Sequence, residues 1–225
     1  MDVLSVLVAA LIPPSSLEIK SFKIIWRLLG KELLEIPIRE RYLVLRVIHA
    51  SGDPSLLKEI SYSKDFVEKG VDAIGRRVKV VVDVSMTYCG IRTRVRDLGV
   101  KTYVVSLMSR DIDHASFKML AGLSELLKHE DDAMEDSLIV VGNSPLFLME
   151  LNKLVEKGLA KPCAVIACPP GFVNAAEAKS RLRRLDIPYF TVGGTRGGSP
   201  LASAAFNALV DLATNRAESI LREVM

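Results

Sequence analysis

Ser137-Leu138-Ile139-Val140-Val141-Gly142-Asn143-Ser144-Pro145 is the stretch whose reading decides the architecture. An uncharged run rich in β-branched side chains suits a strand covered on both faces, as strands of a parallel sheet are. The Gly-Asn-Ser-Pro that follows turns the chain into a helix, since Ser144 suits an N-cap and Pro145 the first turn. Outward from here the same alternation repeats. Val78–Val84, Thr102–Leu107, Ala164–Cys168 and Tyr189–Val192 read as further strands. Helices are predicted at Asp113–Lys128, Pro145–Lys157 and Asn174–Leu185, with a closing helix from Pro200 to about Arg222. Strands alternating with helices imply parallel strands joined by crossover helices, so the expected fold class is α/β: three layers, α/β/α, around a mostly parallel sheet.

The N-terminal third reads as a helical segment, with signals at Ser16–Leu29, Arg39–Ala50 and Lys64–Arg76. Tyr42-Leu43-Val44-Leu45 would also suit a buried strand, because periodicity alone does not separate the two. Read as helix, it sets Arg46 and His49 three residues apart on one face, with Gly52 as a stop and Asp53-Pro54 as the next start. No repeat or linker divides the chain, so residues 1–225 are expected to form a single domain.

Composition narrows the function classes. The chain has 225 residues, 49% hydrophobic and 25% charged, enough to bury a sizeable core. Lys plus Arg exceed Asp plus Glu by three (30 against 27), and no stripe of cations interleaved with aromatics tracks a phosphate backbone, which argues against nucleic acid. Val3–Ile12 is about half the ~20 residues a membrane span needs, and Asp2 stands where a signal peptide is basic, which argues against membrane or export. Cys89, Cys163 and Cys168 are odd in number and lack C-x-x-C spacing, reading as buried thiols in a reducing compartment, the cytoplasm.

Candidate chemistry gathers at the carboxyl ends of the strands, where open α/β sheets bind ligands. Gly142-Asn143-Ser144-Pro145 follows one strand. Gly193-Gly194-Thr195-Arg196-Gly197-Gly198-Ser199-Pro200 follows another, and Cys168-Pro169-Pro170-Gly171-Phe172-Val173-Asn174 forms a third rim loop. Glycines let main-chain N–H groups approach an anion, and Arg196 offers a bidentate grip on a carboxylate. The three loops describe a crevice for a multiply anionic ligand. His49 places an imidazole, which titrates near neutral pH, in an otherwise apolar segment and is a candidate acid.

Plainer readings stand beside these. The glycine loop lacks G-x-G-x-x-G spacing and can be a turn requirement. Ser144 and Ser199 read as caps rather than nucleophiles, and a lone histidine on an apolar face is more often a satisfied core residue. His114 and His129 fall within or beside a charged helix and read as solvated. Asp131-Asp132 and Glu135-Asp136 lack metal-ligand spacing, so no metal site is expected. Arg181-Leu182-Arg183-Arg184 reads as a solvated helix end.

In order and spacing, segments from Ser21 to Leu209 resemble the precorrin-8X methylmutase family of the cobalamin pathway. They are Ser21-Phe22-Lys23-Ile24-Ile25, Arg46-Val47-Ile48-His49-Ala50-Ser51-Gly52-Asp53, Tyr62-Ser63, Asp83-Val84-Ser85-Met86 with Gly90-Ile91, and Val141 to Pro145. Pro170 to Lys179, and Pro188-Tyr189 through Arg196-Gly197-Gly198-Ser199 to Asn207-Ala208-Leu209, complete them. The resemblance implies an isomerase that moves a methyl group from C11 to C12 of the precorrin-8 macrocycle, giving hydrogenobyrinate or cobyrinate. It implies no cofactor: no S-adenosylmethionine, nucleotide or catalytic metal. It puts the family's catalytic histidine, a proton or hydrogen-bond donor, on His49, and a ligand-contacting serine on Ser21. It further implies substrate contacts at Arg46, Met86, Asn143, Gly171, Phe172, Gly193, Thr195, Arg196, Gly197, Gly198 and Ser199, and a homodimer with tetrapyrrole sites at or near the subunit interface.

The chain departs from the family pattern at three places. Leu123 stands where many members carry a ligand-binding arginine, Gly193-Gly194-Thr195 replaces an arginine-richer run, and Glu18 replaces a tyrosine and would repel substrate carboxylates unless turned away. Two other classes compete, a nucleotide-using α/β methyltransferase and a noncatalytic corrinoid carrier.

Overall fold

Side chains on alternate positions of a strand point to opposite faces of the sheet, and here both sets are apolar. The computed structural model, which describes residues 14–109, 115–130 and 132–225, arranges them accordingly. Its sheet has β1 (Ile60–Tyr62), β2 (Lys79–Val82), β3 (Thr102–Val104), β4 (Ser137–Val141), β5 (Ala164–Ala167) and β6 (Tyr189–Val192) in the order β1-β6-β5-β4-β2-β3. All pairings are parallel except β1 with β6, where Ser61 lies opposite Thr191. Val82, Val140, Ile166 and Phe190 stand in adjacent register across the centre.

The helices are α1 (Pro14–Leu34), α2 (Ile38–Ser51), α3 (Phe66–Gly75), α4 (Ser85–Leu98), α5 (Ala115–His129), α6 (Pro145–Glu156), α7 (Ala175–Leu182), α8 (Ser199–Ala213) and α9 (Arg216–Val224). Val80, Val82, Leu138, Val140, Ile166, Phe190 and Val192 join the core shared with α1–α4, α8 and α9. Val81, Ile139, Val141, Val165 and Ala167 face α5, α6 and α7. The expected α/β/α layers follow. Cutting Ile139 or Ile166, both fully buried, to Ala would cost about 2–5 kcal/mol.

The ambiguous Tyr42-Leu43-Val44-Leu45 segment is helical. It reads as a continuous apolar run because α2 is enclosed by α1, α8 and the short 3₁₀ turn Pro54–Glu59, burying Tyr42 through Leu45 together with Val47 and Ile48. Gly52 ends it in the left-handed conformation at φ 66°, its N–H donating to the Ile48 carbonyl.

Several expectations are corrected. The strand expected at Thr102–Leu107 stops at Val104 and passes into a 3₁₀ turn, where the Ser106 N–H donates to the Asp83 carbonyl. The single closing helix is two, because Asn215 takes φ 59° and the Thr214 hydroxyl donates back to the Val210 carbonyl. Asn174, also at positive φ, precedes α7, which ends at Leu182, short of Leu185. Helix α4 and strand β1 were not expected. In α4 only Thr87, Ile91 and Val95 are buried, and Gly90 is required there because a Cβ would lie 2.2 Å from Ser203 Oγ on α8. Of the three thiols expected inside, Cys168 is buried, Cys163 half-buried and Cys89 exposed. Val3–Ile12, His114 and Asp131 lie outside the described residues.

Candidate active site

His49 sits in the last turn of α2, and α1 fixes its ring. Ser21 Oγ lies 2.7 Å from Nδ1, and Phe22 meets the imidazole edge-on with centroids 5.5 Å apart. With Nδ1 engaged by Ser21, Nε2 is the nitrogen left to face a ligand. The side chain is exposed at the rim, neither locked in the core nor turned from the glycine loops. Partial burial and the Arg46 guanidinium both hold its pKa below the ordinary histidine value.

Arg46, one turn earlier, is an ion-pair partner of Glu18 from α1, and lies 3.9 Å from Asp211 of α8. Asp211 is fully buried and accepts hydrogen bonds from the Tyr42 hydroxyl (2.8 Å) and Arg94 (2.7 Å), with Arg216 at 3.6 Å. Arg216 also approaches Glu18 at 3.6 Å. Three guanidiniums thus share two carboxylates, and of the three it is Arg46 whose charge acts on His49. Glu18 is neutralised within this network, so the feared repulsion of substrate carboxylates is answered by Arg46.

His49, Arg46, Glu18, Ala50, Pro200, Ser203, Ala204 and Asn207 line a hollow of about 300 Å³. Through Ala50 and Pro200 it adjoins one of about 420 Å³ lined by Ser51, Asp53, Pro170, Thr195, Arg196 and Gly197. The structure therefore brings His49, Ser21 and Arg46 to the same place as two of the three rim loops. Main-chain bonds hold those loops: Gly193 N donates to Glu59 O (2.7 Å), Gly198 N to Cys168 O (2.6 Å) and Gly171 N to Thr195 O (3.0 Å). Gly197 has φ 156°, and a Cβ there would lie 2.2 Å from the Cys168 carbonyl oxygen. Only glycine fits.

Arg196 stays at the second hollow, and most other candidates fall elsewhere. Arg196 is exposed and pairs with Asp53 at 3.0 Å and with Ser55. Asn143 lines a separate hollow of about 290 Å³ with Val84, Ser106, Lys118 and Met119. Met86 is 67% and Phe172 95% exposed, so both present apolar surface to solvent at this end of the sheet. Ser144 caps α6, accepting from Phe147 N. Ser199 does not cap α8 as expected. Gly198 holds that position, and the Ser199 hydroxyl is buried 2.8 Å from Thr87 Oγ1. Leu123 is buried in the core beneath α5. His129 lies 3.3 Å from Glu125, and Asp132 and Asp136 pair with Lys79 and Arg76. Arg181 pairs with Glu156. A further hollow of about 420 Å³ between α2 and α9, lined by Ile38, Leu212, Leu221 and Met225 among others, holds none of the candidates.

One organising residue was read only as part of the family resemblance, with no role given to it. Asp83, fully buried at the end of β2, accepts from Val84 N (2.8 Å), Thr87 Oγ1 (2.9 Å), Asn143 N (2.7 Å) and Ser144 N (2.8 Å). It joins the loops after β2 and β4, where crossovers depart in opposite directions, the switch point of the sheet. Its signal was an acid closing the apolar run Val80-Val81-Val82. Among the described residues no group of His, Cys, Asp and Glu has metal-binding geometry, and no helix is long and apolar enough to cross a membrane.

Residues 16–212 match the family model described as precorrin-8X methylmutase. The chain belongs to the precorrin-8X methylmutase family. It is 34% identical over 208 residues to the cobalt-precorrin-8 methylmutase of Priestia megaterium, covering 90% of this chain and 89% of that one. It is 30% identical over 187 residues to the cobalt-precorrin-8 methylmutase of Methanocaldococcus jannaschii, covering 83% and 86%. Among solved structures it is similar to the precorrin-8X methylmutase of Thermus thermophilus, with TM-score 0.71 and 28% identity over 86% of this chain and 96% of that one. The methylmutase match takes in α1, α2, the sheet and nearly all of α8, which are the elements that carry His49, Ser21 and the rim loops.

Proposed function

We propose that this chain is an isomerase that shifts a methyl group from C11 to C12 of precorrin-8X or cobalt-precorrin-8, giving hydrogenobyrinate or cobyrinate in cobalamin biosynthesis. One carbon–carbon bond breaks and one forms within the same molecule, so no atom is gained or lost and no group carrier is needed. The observation that carries the role of His49 is its Ser21-held ring at the rim of a hollow that adjoins the glycine loops. Nε2 donates a proton to the conjugated macrocycle, drawing electron density from the ring and easing migration. A positioned acid is worth ~10²–10⁴ in rate. The surplus charge of the arginine network and the N–H groups of the rim loops receive the acetate and propionate arms, while exposed Met86 and Phe172 offer apolar surface to the disc.

The active unit is a homodimer. Leu17, Ile24 and Leu28 are exposed and share one face of α1 with Ser21, at spacings that repeat every one or two turns. Pockets for small ligands run to roughly 300–1,000 Å³, a tetrapyrrole belongs at the upper end, and the open His49 hollow gains a second wall if a subunit covers that stripe. Residues 1–225 act as one methylmutase unit in the cytoplasm, where the three unpaired cysteines suit reducing conditions, and nucleic acid is not a partner.

The test is to incubate pure protein with precorrin-8X and with cobalt-precorrin-8 and follow the absorption of the rearranged chromophore. Conversion of at least one is expected. Binding without conversion of either would make the chain a carrier and overturn the proposal.

A further inference from the structure

Behind the glycine loop lies a buried cation that the methyl shift as described does not use. Lys179 of α7 is 1% exposed, and its Nζ donates to the main-chain carbonyl of Arg196 at 2.7 Å. Among the described residues it forms no ion pair. An ammonium taken from water costs free energy unless it is compensated, and here the compensation is a peptide oxygen in the rim loop itself.

Beside that contact one further main-chain tether reaches the loop, the Thr195 carbonyl accepting from Gly171 N at 3.0 Å. Gly197 and Gly198 on one side and Gly193 and Gly194 on the other leave the backbone free in φ, and the Arg196 side chain points outward to Asp53 and Ser55. The Lys179 contact meets the loop midway between the Gly193 bond to Glu59 and the Gly198 bond to Cys168.

We propose that Lys179 is a positioning residue for the methyl shift: from beneath, it clamps the Gly193–Ser199 loop through the Arg196 carbonyl in the conformation that receives the carboxylate arms of the substrate. This rests on that loop belonging to the substrate site. The titratable groups facing Lys179 are the Cys168 thiol at the end of β5 and the Glu59 carboxylate of the 3₁₀ turn. Burial pulls the ammonium down to about 8 and pushes the thiol up to about 12, so between pH 7 and 9 the lysine is the member of this pair that changes charge. Loss of the proton weakens a charge-assisted bond to the loop and removes a positive charge from beneath an anion site.

The experiment uses the full-length chain, with hydrogenobyrinate as the binding probe and hydrogen exchange read on the peptide spanning 193–199. For Lys179→Met, which keeps the buried volume, loop exchange is expected to accelerate about tenfold and the Kd to weaken about tenfold, while kcat at saturating substrate stays within about twofold. In the wild type the Kd weakens as pH rises from 7 to 9, and in the variant it is flat. Should K179M not fold, Lys179→Gln, a shorter neutral side chain, takes its place in the same exchange and Kd measurements. Unchanged exchange in a folded variant overturns the clamp. Faster exchange with unchanged Kd overturns the loop as a substrate contact, and the positioning role with it.

Discussion

The two walls of the site are built from different physics. The helical wall, α1 and α2 with Asp211 behind them, presents charged and titratable side chains: His49, Arg46 and Glu18, braced by Tyr42, Arg94 and Arg216. The sheet wall, formed by the loops after β5 and β6 with the Asp83-tied loop after β4 beside them in its own hollow, presents main chain, and its bonds are peptide groups tied to Cys168, Glu59 and Lys179. On the proposed reading, proton chemistry falls to the wall whose charges can be tuned, and rigidity to the wall whose donors must stay in register. Substitutions should therefore separate, with changes in the sheet wall read as stability and binding and changes in the helical wall read as rate and pH.

The largest expected loss lies at the switch point. Asp83→Ala strips the acceptor from three main-chain N–H groups and the Thr87 hydroxyl, each unsatisfied donor costing about 1–3 kcal/mol where water does not replace the partner. A drop of about 3–5 kcal/mol in urea unfolding is expected, and a change under 1 kcal/mol would show that the two loops do not depend on it. Next comes Gly197→Ala, which sets a methyl against the Cys168 carbonyl oxygen at a φ that L side chains avoid. It should cost about 1–3 kcal/mol and raise KM, with kcat at saturation little changed. A drop in kcat alone would move this loop from binding to chemistry.

In the helical wall the expected effect is on pH. Because burial and Arg46 hold the His49 pKa below its ordinary value, the imidazolium is present at low pH and is lost as pH rises through that depressed pKa. The account expects kcat/KM to fall with rising pH along a limb below about 6.5. Arg46→Met removes the neighbouring positive charge and should move that limb upward. A limb that stays in place or moves down would detach Arg46 from the acid. The smallest effect is Arg196→Ala. Its pairing with Asp53 is exposed and screened by solvent, so KM should rise only a few-fold.

What the sequence made readable follows the same division. Ser137–Val141 and Tyr189–Val192 match their expected bounds because helices cover both faces, and unbroken apolar runs announce that burial. Strand β1, three residues long at the sheet edge, and α4, half exposed with a glycine inside, give little periodic signal. His49 and the glycine loops stood out because residue type alone marks them. Asp83, Asp211 and Lys179 did not, since their partners lie up to 169 residues away and only the fold brings them together.

Single-turnover conversion of bound precorrin-8X by His49→Ala decides whether the proposed proton on this imidazole drives the migration. The variant is expected to bind hydrogenobyrinate as the wild type does and to convert substrate ~10²–10⁴ times more slowly. Conversion at an undiminished rate would contradict it.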